Sequence, residues 1–485
     1  MSEYILESKG EKWELVCGVE IHFQIISKSK IYSGASTEFG ADANENVSFV
    51  DAGMPGMLPV LNKECVHQAV KTGLALNCNI NKYSAFARKN YFYADLPQGY
   101  QITQDKFPLV GNGAVEIELE DGTTKTIRIT RMHIEQDAAK SIHDMSPTKS
   151  YVDLNRAGVG LMELVTEPDF RSPEEVGAFL KKMRSIVRYL GTCDGNMDEG
   201  SMRCDASVSI RKVGETDLRP RAEIKNVNSV KFVMQAIDYE AHRQLELYEN
   251  GGTMEQATMR FDSLKGVTKF MRKKEYADDY RYFPEPDLLP LVLDDEYIER
   301  VRSEMPELPD AKKKRFINEL GLTPYDAEVI CENKEVAAFF EEAAKGHDAK
   351  KVANWLLGDF FAMLNDKKLE LKDSPVSAKN LGLLVELISK EVINGKTAKD
   401  VFVIMAETGD DPEKIVEEKG LKQVTDNGAI EKLVDELLAS ATDNVNAYKN
   451  GKVGLFGWFV GQILKQTQGK ANPAIVNKIL KEKLG

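Results

Sequence analysis

Acidic and imidazole side chains recur at neighbouring positions of short strand-like segments, and these residue types are suited to binding a cation. Glu20 and His22 are two residues apart, so in a strand they lie side by side on one face. His133, Glu135 and Asp137 repeat this pattern. Carboxylates grouped with an imidazole suit Mg²⁺ or Mn²⁺ better than the cysteine and histidine set typical of zinc. The spacing therefore predicts a site for a divalent cation.

A further acid, Glu163, lies inside the otherwise apolar run 161–165. Two like charges about 4 Å apart cost about 4 kcal/mol at an effective dielectric of about 20, so converging carboxylates need a cation or a proton. The other acids that could join such a group are Glu167, Asp169, Asp198, Glu199, Asp205 and Glu223. The alternative interpretation, that these acids face solvent on half-exposed strands, stays open from the sequence.

Basic residues alternate with acids further along the chain. Arg203 precedes Asp205 by two positions, and Arg221, Glu223 and Lys225 repeat the spacing. Cations beside metal-binding acids are typical of sites that handle a triphosphate, although surface ion pairing gives the same pattern. The sequence contains neither a P-loop motif nor a Gly-x-Ser-x-Gly elbow, so those two kinds of site are excluded.

Strands with alternating polar and apolar residues must position these side chains. Alternation predicts strands over 15–25 and 201–210, and a hairpin of 114–119 with 125–134 around Asp121-Gly122. Helices interrupt the strands. One is predicted after Ser172, where a proline and Glu175 complete a capping box, and another runs from Ser229 to Gly251-Gly252.

The composition is that of a globular protein with about three domains, 42% hydrophobic and 29% charged over 485 residues. None of the six cysteines forms a C-x-x-C pair, which argues against a disulfide framework and indicates reducing cytosol. The acidic N-terminus is unlike a secretory signal, and no stretch approaches the ~20 apolar residues that cross a bilayer. We therefore expect no membrane association.

Charge is unevenly distributed along the chain. The formal net charge is −13, which excludes a protein that binds nucleic acid over its whole surface, because such binding needs a basic surface. Residues 444–485 nevertheless carry seven lysines against one acid, Glu482. Strand patterns end near Pro284 and helical patterns follow, becoming lysine-rich beyond 375–400. This asymmetry indicates separate functions for the two ends.

Several strings of the sequence together resemble one family. They include Gly18-Val19-Glu20-Ile21-His22 and span the chain in order, at 18–22, 88–93, 133–138, 153–156, 167–169, 200–205, 279–287, 460–462, 471–473 and 476–477. In these strings the chain resembles the B subunits of bacterial aspartyl/glutamyl-tRNA(Asn/Gln) amidotransferases.

The resemblance implies an α+β fold. It implies a cradle-like, largely antiparallel catalytic domain similar to glutamine synthetase at 1–292, an all-α helical domain at 293–408 and a helical, tRNA-binding tail at 409–485. It also implies a cytoplasmic heterotrimer with a glutaminase A subunit and a small C subunit. In that family the B subunit phosphorylates the side-chain carboxylate of Glu-tRNA(Gln) or Asp-tRNA(Asn) with ATP, and ammonia from the A subunit then displaces phosphate.

The same resemblance assigns roles to residues of this chain. The Mg²⁺ site, which could take Mn²⁺, would be Glu20, His22, Glu135 and Glu163. ATP and the activated carboxylate would be handled by Asp198, Glu199, Ser201, Arg203, Asp205, Glu223 and Lys225. Ammonia would pass Lys89, Tyr91 and Gln136, and tRNA would contact Lys449, Lys452, Lys465, Lys470 and Lys478.

The sequence departs from the family pattern at two places. Position 136 is Gln where many relatives have Glu, and an amide cannot shuttle a proton as a carboxylate does. Other members have four zinc-binding cysteines, which correspond here to Ser33, Ala35, Ser48 and Asp51. We therefore expect no structural zinc.

Two other functions remain compatible with the residues. The chain could be a non-catalytic tRNA-binding scaffold whose acids are structural, or a stand-alone metal-dependent ATP hydrolase. Loss of phosphorylation with retained tRNA binding on substitution of Glu135 and Glu163 would exclude the first, and strict dependence of turnover on acylated tRNA would exclude the second.

Overall fold

The chain forms two compact units, Met1–Leu308 and Pro309–Gly485. The computed structural model describes residues 4–225, 227–273, 277–423, 427–467 and 470–485. The first three residues, on which the expectation about the N-terminus partly depends, lie outside this part. The first unit combines sheets and helices, whereas the second is helical. A mixed architecture with a largely antiparallel sheet and a helical C-terminal region is thus confirmed.

The strands of the first unit are mostly short, and β2, β7 and β11 are the long ones. They are β1 (Ile5–Ser8), β2 (Glu11–Gln24), β3 (Tyr83–Ser84), β4 (Ala87–Asn90), β5 (Tyr100–Thr103), β6 (Gly113–Glu118), β7 (Thr124–Gln136), β8 (Lys140–Ile142), β9 (Tyr151–Asp153), β10 (Gly160–Thr166), β11 (Met202–Lys212), β12 (Ala222–Lys225), β13 (Ala257–Asp262), β14 (Val267–Lys273), β15 (Phe283–Pro284) and β16 (Leu291–Val292). The helices are α1 (Lys63–Ala75), α2 (Pro173–Leu190), α3 (Val230–Glu249), a 3-10 turn (Ala277–Tyr280) and α4 (Asp295–Ser303).

Among the described residues, nine strands form one sheet with β2 near its centre. The order is β14-β13-β12-β11-β2-β10-β7-β6, and β1 also pairs with β2. Only the β12–β13 pairing among them is parallel. A smaller sheet, β15-β4-β5, places β5 against β7. The predicted strands at 15–25, 114–119, 125–134 and 201–210 correspond to β2, β6, β7 and β11.

The two faces of the large sheet differ in chemistry because side chains alternate along each strand. On one face of β2, Val19, Ile21 and Phe23 are buried in the hydrophobic core. Helices α2 and α3 contribute to the same core and pack together, and α3 also packs on β11. Glu20 and His22 point to the opposite face. Burial of the apolar face therefore fixes the positions of these two polar side chains.

Both helices begin where the sequence places them. The Ser172 hydroxyl accepts the Glu175 N–H at 3.2 Å, and the Ser229 hydroxyl accepts the Phe232 N–H at 3.2 Å. The Glu175 carboxylate accepts the Arg171 N–H at 2.6 Å, one residue before the position that a capping box uses. These caps satisfy backbone donors that the first turn of a helix leaves without a partner.

Residues 293–308 belong to the first unit, so the chain does not divide at 292. The resemblance would assign them to the helical domain at 293–408. Helix α4 nevertheless packs against α1, and its Ile298 and Val301 are buried in the core of the first unit. Tertiary packing, which a local pattern does not reveal, decides the boundary. The further division at 408/409 stays a prediction.

The second unit is built from short helices. They are α5 (Pro309–Asn318), α6 (Pro324–Cys331), α7 (Lys334–Ala344), α8 (Ala349–Trp355), a π-helical turn (Leu356–Phe360), α9 (Phe361–Lys367), a 3-10 turn (Leu371–Asp373), α10 (Ala378–Ser389), α11 (Gly395–Thr408), α12 (Pro412–Glu418), α13 (Asn427–Ser440), α14 (Thr442–Lys449), α15 (Leu455–Gln466) and α16 (Pro473–Leu484). Ile430 of α13, Phe459 of α15 and Val476 of α16 share one apolar cluster. None of the helices in the described ranges is both long and apolar enough to cross a membrane.

Candidate metal centre

Three adjacent strands bring a histidine and two glutamates together on the polar face of the large sheet. In the register of the sheet, Glu163 of β10 lies opposite His22 of β2 on one side and opposite His133 of β7 on the other. Glu135 follows two residues after His133 on the same face. One ligand atom each from His22, Glu135 and Glu163 lies within 4.8 Å of the other two. This group is called the carboxylate cluster below.

Short polar contacts join the members of the carboxylate cluster. The Nε2 atom of His22 lies 3.1 Å from Oε2 of Glu163 and 3.8 Å from Oε1 of Glu135. The hydroxyl of Thr103, on β5, donates to Oε2 of Glu135 at 2.8 Å. The small sheet therefore supplies a hydrogen bond to an acid of the large one.

The surroundings lower the pKa of both carboxylates, although Glu135 is buried and Glu163 is half-buried. Burial alone would raise the pKa of Glu163, but the neighbouring His133, His22 and Lys89 hold it well below its usual range. For Glu135, burial and the charge of Glu163 oppose ionisation, and His133 and His22 nevertheless lower its pKa. Burial disfavours charged His22, yet the hydrogen bond to Glu163 raises its pKa. Two ionised carboxylates and an imidazole within ligand spacing fit a divalent cation.

Glu20, the fourth predicted ligand, lies next to the carboxylate cluster and is not part of it. It is on the same face of β2 as His22, two residues earlier, and its partner across the sheet is Asp205 of β11. The structure thus brings three of the four predicted ligands together. The fourth, Glu20, is the preceding residue on the same face of β2.

The predicted ATP-handling residues fall into two sets. On β11 and β12, Lys225 Nζ lies 2.6 Å from Asp205 and 3.0 Å from Glu223, and Arg203 Nη2 lies 2.9 Å from Asp137. Arg203 is the direct neighbour of His22 in the sheet. These charged groups extend the polar face of the sheet from the carboxylate cluster towards β11 and β12.

The second set lies on the turn before β11. The side chains of Asp198 and Glu199 are exposed, and their backbone N–H groups donate to Asn196 at 3.0 and 3.3 Å. Ser201 is buried, and its hydroxyl donates to Asp194 at 3.1 Å. Among the described residues, neither Asp198 nor Glu199 makes a hydrogen bond or ion pair with the carboxylate cluster.

Two of the three predicted passage residues are neighbours. Lys89 Nζ lies 4.8 Å from the centre of the Tyr280 ring and 5.8 Å from that of Tyr91. Burial opposes the charge of Lys89, but Glu135 and other anions raise its pKa. Gln136 is buried, and its amide donates to Gln98 at 2.8 Å. Because neighbouring residues of a strand point to opposite faces, Gln136 is directed away from Glu135.

The segment that carries Tyr280 is held by residues for which the sequence predicted no role. The guanidinium of Arg88 makes two hydrogen bonds to Glu285, at 2.7 and 2.9 Å. Asn90 donates to the carbonyls of Tyr280 and Arg281, and Arg281 has a φ of 47°. Non-glycine residues rarely adopt this left-handed backbone, so the hydrogen bonds of Asn90 help to hold it. The sequence signal for this segment is the pair of matching strings 88–93 and 279–287.

Three of the four positions aligned with zinc ligands, Ser33, Ser48 and Asp51, are joined by hydrogen bonds, and Asp51 also forms an ion pair. Lys30 is fully buried, and its Nζ lies 3.1 Å from Oδ2 of Asp51. The Ser33 hydroxyl and the Ser48 N–H also donate to Asp51, at 3.0 and 2.9 Å. A Cβ at Gly158 would lie 2.5 Å from Oδ1 of Asp51, so only glycine fits there. This group is called the Asp51 hub below.

The predicted tRNA contacts lie in the second unit. Lys449, Lys452, Lys465 and Lys478 are exposed, and Lys470 is half-buried. None of these five lysines belongs to the apolar cluster formed by α13, α15 and α16. Exposed lysines on a helical scaffold are free to meet phosphate groups.

Comparison with known proteins covers nearly the whole chain. Residues 15–299 match the family model described as the GatB/GatE catalytic domain, and 338–484 match a GatB domain. Proteins from Rhodospirillum rubrum and Acidiphilium cryptum are each 60% identical, and one from Rickettsia felis is 55% identical. Each match spans 99% of both chains. All three are named as the B subunit of an aspartyl/glutamyl-tRNA(Asn/Gln) amidotransferase.

Proposed function

The chain belongs to the family of aspartyl/glutamyl-tRNA(Asn/Gln) amidotransferase B subunits, and from this premise we propose how its polar sheet face acts. We propose that it phosphorylates the side-chain carboxylate of Glu-tRNA(Gln) or Asp-tRNA(Asn) with ATP, and that ammonia then replaces phosphate to give Gln-tRNA or Asn-tRNA. A carboxylate is a poor electrophile, and phosphorylation supplies a leaving group. The observation that carries this proposal is the carboxylate cluster on β2, β7 and β10.

The carboxylate cluster would hold Mg²⁺, with Mn²⁺ as an alternative. His22, Glu135 and Glu163 would be ligands, and Glu20 would approach from the next position of β2. A bound cation would neutralise negative charge on the transferring phosphoryl group. Arg203 and Lys225, beside the cluster on β11 and β12, would bind phosphate oxygens and offset charge that develops during transfer. Asp205 and Glu223 position Lys225 through their ion pairs.

The exposed turn before β11 would cover the nucleotide. Asp198 and Glu199 present their side chains to solvent, and Ser201 anchors the turn to Asp194. These exposed acids would contact ATP through its bound cations or its ribose hydroxyls rather than through its phosphates. We propose further that the sheet is a cradle of the glutamine synthetase type, since one face is polar and the other is covered by α2 and α3.

Ammonia would reach the activated carboxylate along Lys89 and Tyr91. Both side chains lie against Tyr280, and Lys89 is close enough to the carboxylate cluster for Glu135 and Glu163 to raise its pKa. Gln136 could donate and accept hydrogen bonds along the route but could not relay a proton. The partners would be a glutaminase A subunit and a small C subunit in a cytoplasmic heterotrimer.

The proposed reaction is tested by reconstituting the full chain with its A and C partners. Glu-tRNA(Gln) and Asp-tRNA(Asn) would be supplied separately with ATP and glutamine, and ADP and amidated tRNA would be measured. We expect both products to appear together and only with an acylated tRNA. Amidation without ATP turnover would contradict the phosphorylation step, and ATP turnover without acylated tRNA would favour an ATP hydrolase.

Exposed lysines of the second unit are expected to contribute phosphate contacts to tRNA. Deleting 444–485 would remove Phe459 and Val476 from the apolar cluster that Ile430 shares, so truncation would unfold this region. Replacing Lys449, Lys465 and Lys478 with Gln is the sharper change, because these residues are exposed. We expect weaker tRNA binding and a slope of log K against log salt that is shallower by roughly 2–3.

Three exposed lysines of the first unit provide a control of equal charge. They are Lys140, Lys149 and Lys265. The corresponding triple Gln variant should keep the salt slope of the native chain. Equal slopes for both triple variants and the native chain would show that the lysines of the second unit make no phosphate contact.

The absence of structural zinc stays a prediction. The Asp51 hub cross-links residues 30–51 through an ion pair and hydrogen bonds, so this loop does not need a metal for its conformation. Elemental analysis of the purified chain should find well below one zinc per molecule. Stoichiometric zinc that resists dialysis would contradict this.

A further inference from the structure

His133 lies at the carboxylate cluster, and neither the proposed ligand set nor the proposed ATP-handling set includes it. Its side chain is 5% exposed. Nε2 lies 3.4 Å from Oε2 of Glu135 and 3.6 Å from Oε2 of Glu163, so one imidazole nitrogen faces both carboxylates. Glu163 is flanked directly by His22 and His133 across the sheet.

The two ring nitrogens of His133 are in different surroundings. Nδ1 is buried and has no hydrogen-bond partner among the described residues, whereas Nε2 faces the two carboxylates. A proton on Nδ1 would be a buried donor without an acceptor, and the lone pair left on Nε2 would face two anions. A proton on Nε2 instead faces two carboxylate oxygens, at 3.4 and 3.6 Å. The surroundings therefore favour the form of the ring that carries its proton on Nε2.

His133 is placed to orient the ligands rather than to be one. His133 falls outside the group of ligand atoms that lie within 4.8 Å of one another, whereas His22 belongs to it. A donor behind the Oε2 atoms of Glu135 and Glu163 restricts the rotation of both carboxylates. Residues that orient metal ligands in this way typically contribute about 10–100-fold to metal affinity.

We propose that His133 is a positioning residue, and that its Nε2–H holds the carboxylates of Glu135 and Glu163 in the arrangement that binds the divalent cation. This inference rests on the proposed metal site and deepens it. It adds a residue that sets how tightly the cation is held. The register pairing of His133 with Glu163, the buried Nδ1 and the shared Nε2 contact support it independently of any activity.

Two amide substitutions distinguish the two ring nitrogens. The side-chain amide nitrogen of Gln reaches about as far from the backbone as Nε2, and that of Asn about as far as Nδ1. His133→Gln therefore keeps a donor near the carboxylates, whereas His133→Asn does not. Mn²⁺ is the probe, because it binds as Mg²⁺ does and can be followed by electron paramagnetic resonance.

The experiment measures the Mn²⁺ dissociation constant of the full chain and of both variants, together with their thermal unfolding. We expect His133→Asn to bind Mn²⁺ about 10–100-fold more weakly and His133→Gln to stay within about 3-fold of the native chain. Nitrogen couplings in the Mn²⁺ spectra should report one imidazole ligand, His22, in all three proteins. Unfolding temperatures show whether a loss of affinity comes from a loss of fold.

Several outcomes would overturn the inference. Equal affinities of the native chain and His133→Asn would show that His133 does not position the ligands. Two coordinated imidazoles in the native chain, with one in both variants, would make His133 a ligand instead. Absence of any Mn²⁺ binding by the native chain would contradict the proposed metal site together with this inference, whereas the first two outcomes leave the proposed function intact.

Discussion

Replacing Glu163 with Gln is expected to reduce ATP-dependent phosphorylation of acylated tRNA at least about 100-fold while tRNA affinity stays within about 2-fold. Glu163 lies between His22 and His133 in the sheet and contributes one of the two carboxylates of the cluster. The amide keeps the size of the side chain and removes its charge, so cation binding is weakened with little change in packing. The measurement is single-turnover formation of ADP by the reconstituted complex.

Glu116→Gln is the matched control for this substitution. Glu116 is an exposed residue of the edge strand β6 in the same sheet, so the exchange is identical and the site is distant in the strand order. It should leave phosphorylation unchanged. Full phosphorylation by Glu163→Gln would contradict a catalytic role for the cluster and favour the scaffold interpretation.

Replacing Lys30 with Met is expected to destabilise the first unit by about 3–5 kcal/mol. The ammonium group of Lys30 is buried against Asp51 and also donates to the carbonyl of Leu154 at 3.3 Å. Burial lowers the pKa of Lys30 and Asp51 opposes this effect, so the charge depends on its partner. Met keeps the aliphatic stem but leaves the carboxylate of Asp51 buried without its cation. Thermal and urea unfolding of the full chain measure the loss.

The double variant Lys30→Met, Asp51→Asn isolates the uncompensated charge. It removes both charges at nearly constant volume, so it should recover most of the stability that the single variant loses. If both variants are equally unstable, the loss comes from packing. An unfolding transition of Lys30→Met that matches the native chain would show that the ion pair contributes nothing.

The sequence predicts β2, the β6–β7 hairpin, β11, α2 and α3, because each has a local signal: alternation, a turn pair or a cap. It does not predict which strands become neighbours. Glu163 meets His22 and His133 through pairings between strands that are distant in the sequence. Residue types do not reveal which distant strands pair, because closing the long loops between them depends on chain entropy and not on a local motif. The group of Glu20, His22, Glu135 and Glu163 could therefore be suggested from residue types and resemblance, but its register could not.

The unpredicted features have the same origin. Helix α4 has a helical pattern, and its burial against α1 appears only in the folded unit. The Asp51 hub joins Lys30, Ser33 and Ser48, whose types alone indicate an ordinary polar loop. Asp198 and Glu199 directly precede the family string 200–205, yet both side chains are exposed to solvent. Local pattern determines the elements, and long-range packing determines their contacts.

The position of β2 in the sheet has a consequence for synthesis of the chain. β2 leaves the ribosome early, but its partners β10 and β11 begin only at Gly160 and Met202. At a typical elongation rate of about 10 residues per second, the part of β2 beyond its pairing with β1 waits well over ten seconds for them. In nascent chains the edges of this part of β2 are therefore expected to stay open to pairing with other chains until β11 has emerged.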